Sequence, residues 1–256
     1  MNQHPKIVVY TAIMGKRDRL LEASPHPDAD YICYTDDSEL SSETWTIRHI
    51  DASQNPRLTA RRLKLLPHEL FPEYKYSIWH DATLSLVATP RTALDYLKDN
   101  KIALFKHSRR INVYQEAREV LILKRDLPSC VIPQIKRYRQ ECFFDNVLCA
   151  TGVLIREHNH PDIKRLMTFW WEELSQNSVR DQLSFNYAAW KTNTPFSIIP
   201  GNILNNPLFT AQPRLDSKTR NHKEAEAELR SSLSIRGRGI LRNTRNYLVC
   251  KLRWGI

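Results

Sequence analysis

YKYSIWHDATLSLVATP, residues 74–90, opens like a buried β-strand and then places His80 and Asp81 back to back. Its first half is apolar (Tyr76, Ile78, Trp79), and Asp81 stands at its carboxyl end. In open α/β sheets, ligands gather beyond the carboxyl ends of the strands. A carboxylate delivered there needs a partner: a metal, a basic side chain or backbone donors. Mg²⁺ and Mn²⁺ prefer oxygen ligands, and one or two carboxylates plus phosphate oxygens complete their shell. Asp81 therefore reads either as part of a metal-diphosphate site or as a cap for the turn that begins at "DAT".

Working outward, the chain alternates strands with helices. KIVVYTAI (6–13), YICYTDD (31–37), TWTIRHI (44–50), KIALFKH (101–107) and LCATGVLIRE (148–157) read as strands, and FSIIPGNIL as a final strand and turn. NPRLTARRLKLLPHEL (55–70), NVYQEAREVLILKR (112–125), VIPQIKRYRQE (131–141) and RDQLSFNYAAWK (180–191) read as helices. TPRTALDYLKDN (89–100) is a helix with Thr89 as N-cap and Pro90 at its first position. PDIKRLMTFWWEELSQ (161–176) carries Ile163, Leu166, Met167, Trp170 and Leu174 on one stripe. That stripe makes Trp170 a core residue rather than a sugar platform. The alternation predicts an α/β domain with a mostly parallel sheet covered on both faces.

Composition bounds the function. The 256 residues are 41% hydrophobic and 26% charged, as expected of a globular chain with a substantial core. The net charge of +10 is uneven: residues 214–256 carry eleven Lys and Arg against four Asp and Glu, and the first 213 residues are nearly balanced. The five cysteines (Cys33, Cys130, Cys142, Cys149, Cys250) lack CxxC spacing, which fits a reducing compartment rather than a disulfide or zinc framework. The first apolar run is too short for a signal peptide, and no segment has the length of a membrane span. A cytoplasmic protein is the expectation.

Three strands end in polar residues, at Thr11, at Asp36 and Asp37, and at Asp81. Such a rim suits a base and a ribose. Arg57, Arg61 and Lys64 recur three to four residues apart on one helix and suit phosphates, Arg as a fork and Lys as a point charge. A solvated helix face is the plainer reading of the same spacing. His107, Arg109 and Arg110 follow another strand end and reach toward a sugar or acceptor, with Tyr114 and Glu116 behind them. His158 and His160 read as loop residues, since a spacing of two at a turn gives no shared helical face.

Taken in order, KIVVYTAIMGKRD, YICYTDD, ARRLKLLPHELFPEYKYSIWHDATLSL, HSRRINVYQEA, QIKRYRQE, GVLIREH and RDQLSF resemble a glycosyltransferase-like domain family, long without an assigned function. It includes plant turgor-regulation and mucilage-related proteins and bacterial polysaccharide-locus proteins. The resemblance covers residues 6 to about 187 and is most specific in the pairing of YSIWHDATLSL with RDQLSF. It implies a GT-A-like fold over residues 1–213 and transfer of a sugar from a nucleotide donor. It also implies a strand-end Asp-x-Asp motif holding Mn²⁺ or Mg²⁺ against the diphosphate, with Asp81 first and Thr83 standing where the second Asp belongs. Thr83 then ligates through its hydroxyl or a water, or Arg57, Arg61 and Lys64 neutralise the diphosphate instead. By position, Tyr10, Thr11, Ala12, Thr35 and Asp36 line the nucleotide pocket. Asp181 is the late carboxylate near the transferred sugar, a general base if the reaction inverts, and Gln182 bonds sugar hydroxyls. As a plainer alternative, Asp181 caps the following helix and pairs with Arg180.

Residues 214–256 lie outside the resemblance and form a basic amphipathic segment. From 233 onward, Leu, Ile, Tyr, Val and Trp interleave with Arg and Lys without an acid. This composition suits an anionic membrane surface, and so a peripheral enzyme with a polysaccharide or lipid-linked acceptor; a packed C-terminal helix is the alternative. Two competing functions stand beside glycosyl transfer. One is nucleic-acid binding through this segment, which the nearly balanced remainder of the chain disfavours. The other is a catalytically inactive sugar-binding relative, which Thr83 permits.

Overall fold

A computed structural model describes residues 6–16, 18–52 and 55–211; the basic segment beyond 213 lies outside them. The first three strands are β1 (Ile7–Ile13), β2 (Ala29–Thr35) and β3 (Thr46–His49). Asn55 caps α1 (Pro56–Leu65) by accepting from Leu58 N at 3.0 Å, with Pro56 at the first helical position. The helical spacing through residue 70 does not yield one helix. Pro67 disfavours the α conformation in the residue before it, so Leu66 leaves the helix (φ −113°, ψ 53°) and a short α2 (Pro67–Leu70) follows.

β4 (Tyr76–His80) ends one residue before Asp81, and a turn leads to β5 (Leu84–Leu86). α3 (Pro90–Leu94), capped by Thr89, continues as a 3₁₀ turn over 95–97. Then come β6 (Ile102–Lys106), α4 (Val113–Ile122), α5 (Pro128–Gln140), β7 (Cys149–Arg156) and α6 (Pro161–Gln176). The expected helix over 180–191 is instead a 3₁₀ turn (Asp181–Leu183) followed by α7 (Phe185–Lys191). β8 (Ser197–Ile199) and β9 (Phe209–Ala211) complete the described chain.

Seven strands form one sheet in the order β3-β2-β1-β4-β7-β6-β8. All pairs are parallel except those of β7, which runs antiparallel to both β4 and β6. This is the α/β architecture expected of a GT-A-like domain. β5 and β9 pair antiparallel in a small second sheet, which the sequence reading lacks. One face of the large sheet buries Val8, Tyr10, Ile32, Trp79 and Leu154 against α1, α6 and α7, with Trp170 in this core. The other face buries Val9, Cys33, Ile78 and Phe105 against α3 and residues 208–209. No helix among the described residues is long and apolar enough to cross a membrane.

His158 sits at the turn between β7 and α6, fully buried, and its Nε2 donates to Phe71 O at 2.9 Å. Its spacing partner His160 is the N-cap of α6, so the two do not form a pair. Burial pushes the His158 pKa down to about 4, helped by Arg156, His68 and Lys164 and opposed by the Phe71 bond. The unfolded chain takes up this proton near pH 6.5, whereas the folded chain refuses it until about pH 4. The stability from His158 is therefore complete above pH 6.5 and declines as pH falls toward 4. Between pH 7 and pH 5 the wild type is expected to lose about 2 kcal/mol more than His158→Gln. Urea denaturation at the two pH values measures this, and equal losses would refute it.

Candidate active site

The order β3-β2-β1-β4 means the chain winds to one side of β1 and then crosses to the other, so the sheet reverses between β1 and β4. A cleft of about 730 Å³ opens at this reversal. Ala12 and Met14 line it from the end of β1, and Trp79, Asp81, Ala82 and Thr83 from the end of β4. The first turns of α1 contribute Pro56, Arg57, Ala60 and Arg61; Asp18, Arg125 and Arg180 close the sides. Its volume lies in the range of small-molecule and cofactor pockets.

Strand alternation separates the two residues of the opening puzzle. Ile78 and His80 point to one side of β4, where His80 packs against Trp45 and Phe209 and burial lowers its pKa. Trp79 and Asp81 point to the other side. Trp79 Nε1 donates to Asp81 Oδ1 at 3.0 Å, and Lys64 Nζ approaches the same oxygen at 3.4 Å. The turn after β4 is closed by backbone, with Leu84 N donating to Asp81 O at 2.9 Å, so the Asp81 side chain is not its cap. That side chain is 42% exposed and faces the cleft. Gly152 on β7 leaves room for it: a Cβ there would lie 3.2 Å from Asp81 Oδ2 and 2.5 Å from Ile203 Cδ1.

Beneath Asp81 lies a buried charge cluster. Lys64, 1% exposed, donates to Asp181 Oδ2 at 2.6 Å, and Arg61 Nη2 lies 3.6 Å from Asp181 Oδ1. Lys64 thus bridges the two carboxylates, with its ammonium 5.6 Å from the Trp79 ring centre. Burial works to raise the Asp181 pKa, but Arg61, Lys64 and Arg180 outweigh it and hold the carboxyl well below the usual range. Arg61 is shifted the other way: burial opposes its charge, and Asp181 and Asp81 more than compensate. Arg57 is pushed down by burial and by Arg180 beside it. Among the described residues, the buried Nε atoms of Arg61 and Arg180 find no hydrogen-bond acceptor.

The Lys64 carbonyl is itself pinned. It accepts from Tyr10 OH at 3.0 Å and from Arg156 Nη1 at 2.8 Å. Arg156 is wholly buried; its Nη2 donates to Tyr10 OH at 2.6 Å, and among the described residues no carboxylate forms an ion pair with it. Its charge lies against the negative C-terminal end of α1, which lowers the cost of burying it.

The structure thus gathers Ala12, Arg57, Arg61, Asp81 and Thr83 on the cleft wall, with Lys64 and Asp181 directly beneath. Other expected residues lie elsewhere. Tyr10 is buried below Lys64 and supports it rather than lining the pocket. Thr11 and Thr35 are fully buried on the opposite side of the sheet, because both strands continue to Ile13 and Thr35 before the chain turns. Asp36 accepts from Gly15 N at 2.9 and 3.0 Å and so braces a turn that Gly15 makes at φ 69°. His107 Nδ1 accepts from Arg109 N and Arg110 N, and its Nε2 lies 2.8 Å from Arg110 Nη2. Burial and the neighbouring arginines push its pKa down to about 4. Arg110 is also paired with Glu116, and Arg109 is exposed, so this trio builds its own loop rather than the cleft wall. Gln182 keeps its Nε2 buried without a partner, outside the lining. Asp181, at 4% side-chain exposure, is enclosed by Lys64 and Arg61 and reaches the cleft only through them. Sequence reading passed over Arg125 and Arg180 as cleft residues; Arg180 stood in view beside Asp181 in RDQLSF.

The expected Mn²⁺ or Mg²⁺ would have to be held by the donors of this cleft. Among the described residues no group of three or more His, Cys, Asp or Glu converges. The carboxylates that approach each other are already bridged by an ammonium, and Thr83 supplies no charge. The protein would offer a divalent cation one half-exposed carboxylate, Asp81, whose Oδ1 already accepts from Trp79 and lies beside the Lys64 ammonium, and the neutral Thr83.

Residues 43–205 match the family model described as TOD1/MUCI70, glycosyltransferase-like domain. The matched span contains Arg57, Arg61, Lys64, Asp81, Thr83, Arg125, Arg180 and Asp181. Over 152 residues the chain is 29% identical to a protein of Arabidopsis thaliana named probable hexosyltransferase MUCI70. The alignment takes in 53% of this chain and 26% of the plant protein, so the chain corresponds to about a quarter of that relative's length.

Proposed function

Because the chain belongs to the TOD1/MUCI70 glycosyltransferase-like domain family, we propose that it moves a sugar from a nucleotide-sugar donor to a glycan hydroxyl, with the donor in the cleft between β1 and β4. The observation that carries this reading is the convergence of Arg57, Arg61, Arg125 and Arg180 on one cleft at the carboxyl edge of the sheet. Four arginines converging on one cleft suit a diphosphate, and the positive end of α1 opens on the same space.

In the reaction the bond between the sugar C1 and the phosphate oxygen breaks, and its electron pair leaves on the diphosphate. The arginines stabilise that developing charge. The acceptor oxygen bonds to C1 and gives up its proton to Asp81, the half-exposed carboxylate held toward the cleft by Trp79 and Lys64. Asp181 fixes Lys64 and Arg61 rather than touching substrate. The acceptor is a polysaccharide or lipid-linked glycan. Residues 1–213 form the transferase unit, and the basic composition of 214–256 supports a role at an anionic surface near such an acceptor. Nucleic-acid binding is disfavoured because Arg57, Arg61, Arg125 and Arg180 line a pocket of nucleotide size rather than an open stripe.

Titration calorimetry with UDP, GDP and CDP, each with Mn²⁺ present, tests the donor site. One of the three is expected to bind with a Kd of about 1 mM or tighter. Failure of all three would overturn the reading. Donor hydrolysis by the same preparation then separates an enzyme from an inactive relative.

A further inference from the structure

We infer that the donor's diphosphate is held without a divalent metal: Lys64, lodged between Asp81 and Asp181, occupies the place of the ion, and Arg57, Arg61 and Arg180 carry the phosphates. This rests on the reading of the cleft as a nucleotide-sugar site.

Two observations lead here. The first is positional. An ammonium lies 2.6 Å from one carboxylate and 3.4 Å from the other, where a cation bridging the two would have to sit. Lys64 is 1% exposed and its ammonium lies 2.6 Å from Asp181 Oδ2, so it cannot swing aside to admit an ion without leaving a buried carboxylate unpaired. The second is the charge already present. Lys64 and the four cleft arginines face Asp18, Asp81 and Asp181, a surplus of two positive charges. The two ionised phosphates of a sugar-nucleotide diphosphate balance that surplus, whereas a divalent ion would double it and lie against Lys64.

The neutral Thr83 agrees with this assignment. A second carboxylate there would strengthen a metal site, while an arginine-held diphosphate needs only a small polar neighbour.

The test is calorimetry of the full chain with UDP, GDP and CDP, once after exhaustive treatment with EDTA and once with excess Mn²⁺. The preferred nucleotide is expected to bind in EDTA with a Kd within about twofold of its value in Mn²⁺. Raising NaCl from about 50 to 500 mM should weaken it several-fold. Arg57→Gln should weaken it about tenfold in EDTA while melting at the wild-type temperature, and Arg180→Gln, which also removes a charge beside Asp181, serves as the second variant. Binding more than tenfold tighter with Mn²⁺, or present only with it, overturns the metal-free inference and leaves the donor site standing. Absence of binding in both solutions overturns the donor site, and the inference with it.

Discussion

Lys64→Met is expected to destabilise the chain by about 3–5 kcal/mol, the cost of removing one partner from a buried ion pair. Methionine keeps the length and most of the volume of the side chain, so the change isolates charge from packing. What is left is Asp181, 4% exposed and deprived of the ammonium 2.6 Å away. Arg61, at 3.6 Å, compensates only in part, because its own charge is shared with Asp81. For a domain of this size the loss corresponds to a fall in Tm of about 10 °C. Urea denaturation measures it, and a change under about 1 kcal/mol would mean that the buried bridge is not held by charge. Lys64→Met combined with Asp181→Leu separates stability from function. Removing both charges in favour of apolar groups should recover most of the stability. It should not recover sugar transfer, since the cleft then lacks the cation beneath Asp81 and the anchor of Arg61.

That cluster also shows why some of the site was legible in the sequence and some was not. Arg57, Arg61 and Lys64 recur at helical spacing, so their shared face follows from periodicity alone. That Lys64 is buried does not, because its partner lies 117 residues away and only the assembled sheet brings them together. Asp81 was legible as a strand end, since an apolar run stopping at a carboxylate is a local pattern. Tyr10, Thr11 and Thr35 misled for a related reason. An apolar strand does not announce which of its last residues are still inside the sheet, and β1 runs to Ile13. The helices over 56–65 and 161–176 were legible through their caps, periodicity and prolines. The direction of β7 was not, because a strand buried on both faces reads the same in either orientation. β5 and β9, three residues each, are too short to carry a period and exist only through their pairing. Arg125 and Arg180 sit in turns, where no repeat marks a charge as pointing inward.

Asp81→Asn should separate from Asp181→Asn in the opposite sense, activity against stability. Asp81 is 42% exposed, and asparagine can still accept from Trp79 Nε1 and Lys64 Nζ, so the fold should lose no more than about 1 kcal/mol. The charge that takes the acceptor's proton is gone, and turnover should fall by about 10²- to 10⁴-fold, the range of general-base contributions. Donor affinity should hold or improve, because the cleft gains net positive charge toward the diphosphate. Asp181→Asn removes a carboxylate enclosed with Lys64, Arg61 and Arg180, and leaves three cations repelling one another. Its first effect should be on the melting temperature, with donor binding lost as Lys64 and Arg61 lose their anchor. Thermal melts, calorimetric Kd values and single-turnover rates on the two variants decide between these assignments. If Asp81→Asn retained turnover while Asp181→Asn lost it at unchanged stability, the proton would pass to Asp181, and the buried carboxylate would have to become accessible during the reaction.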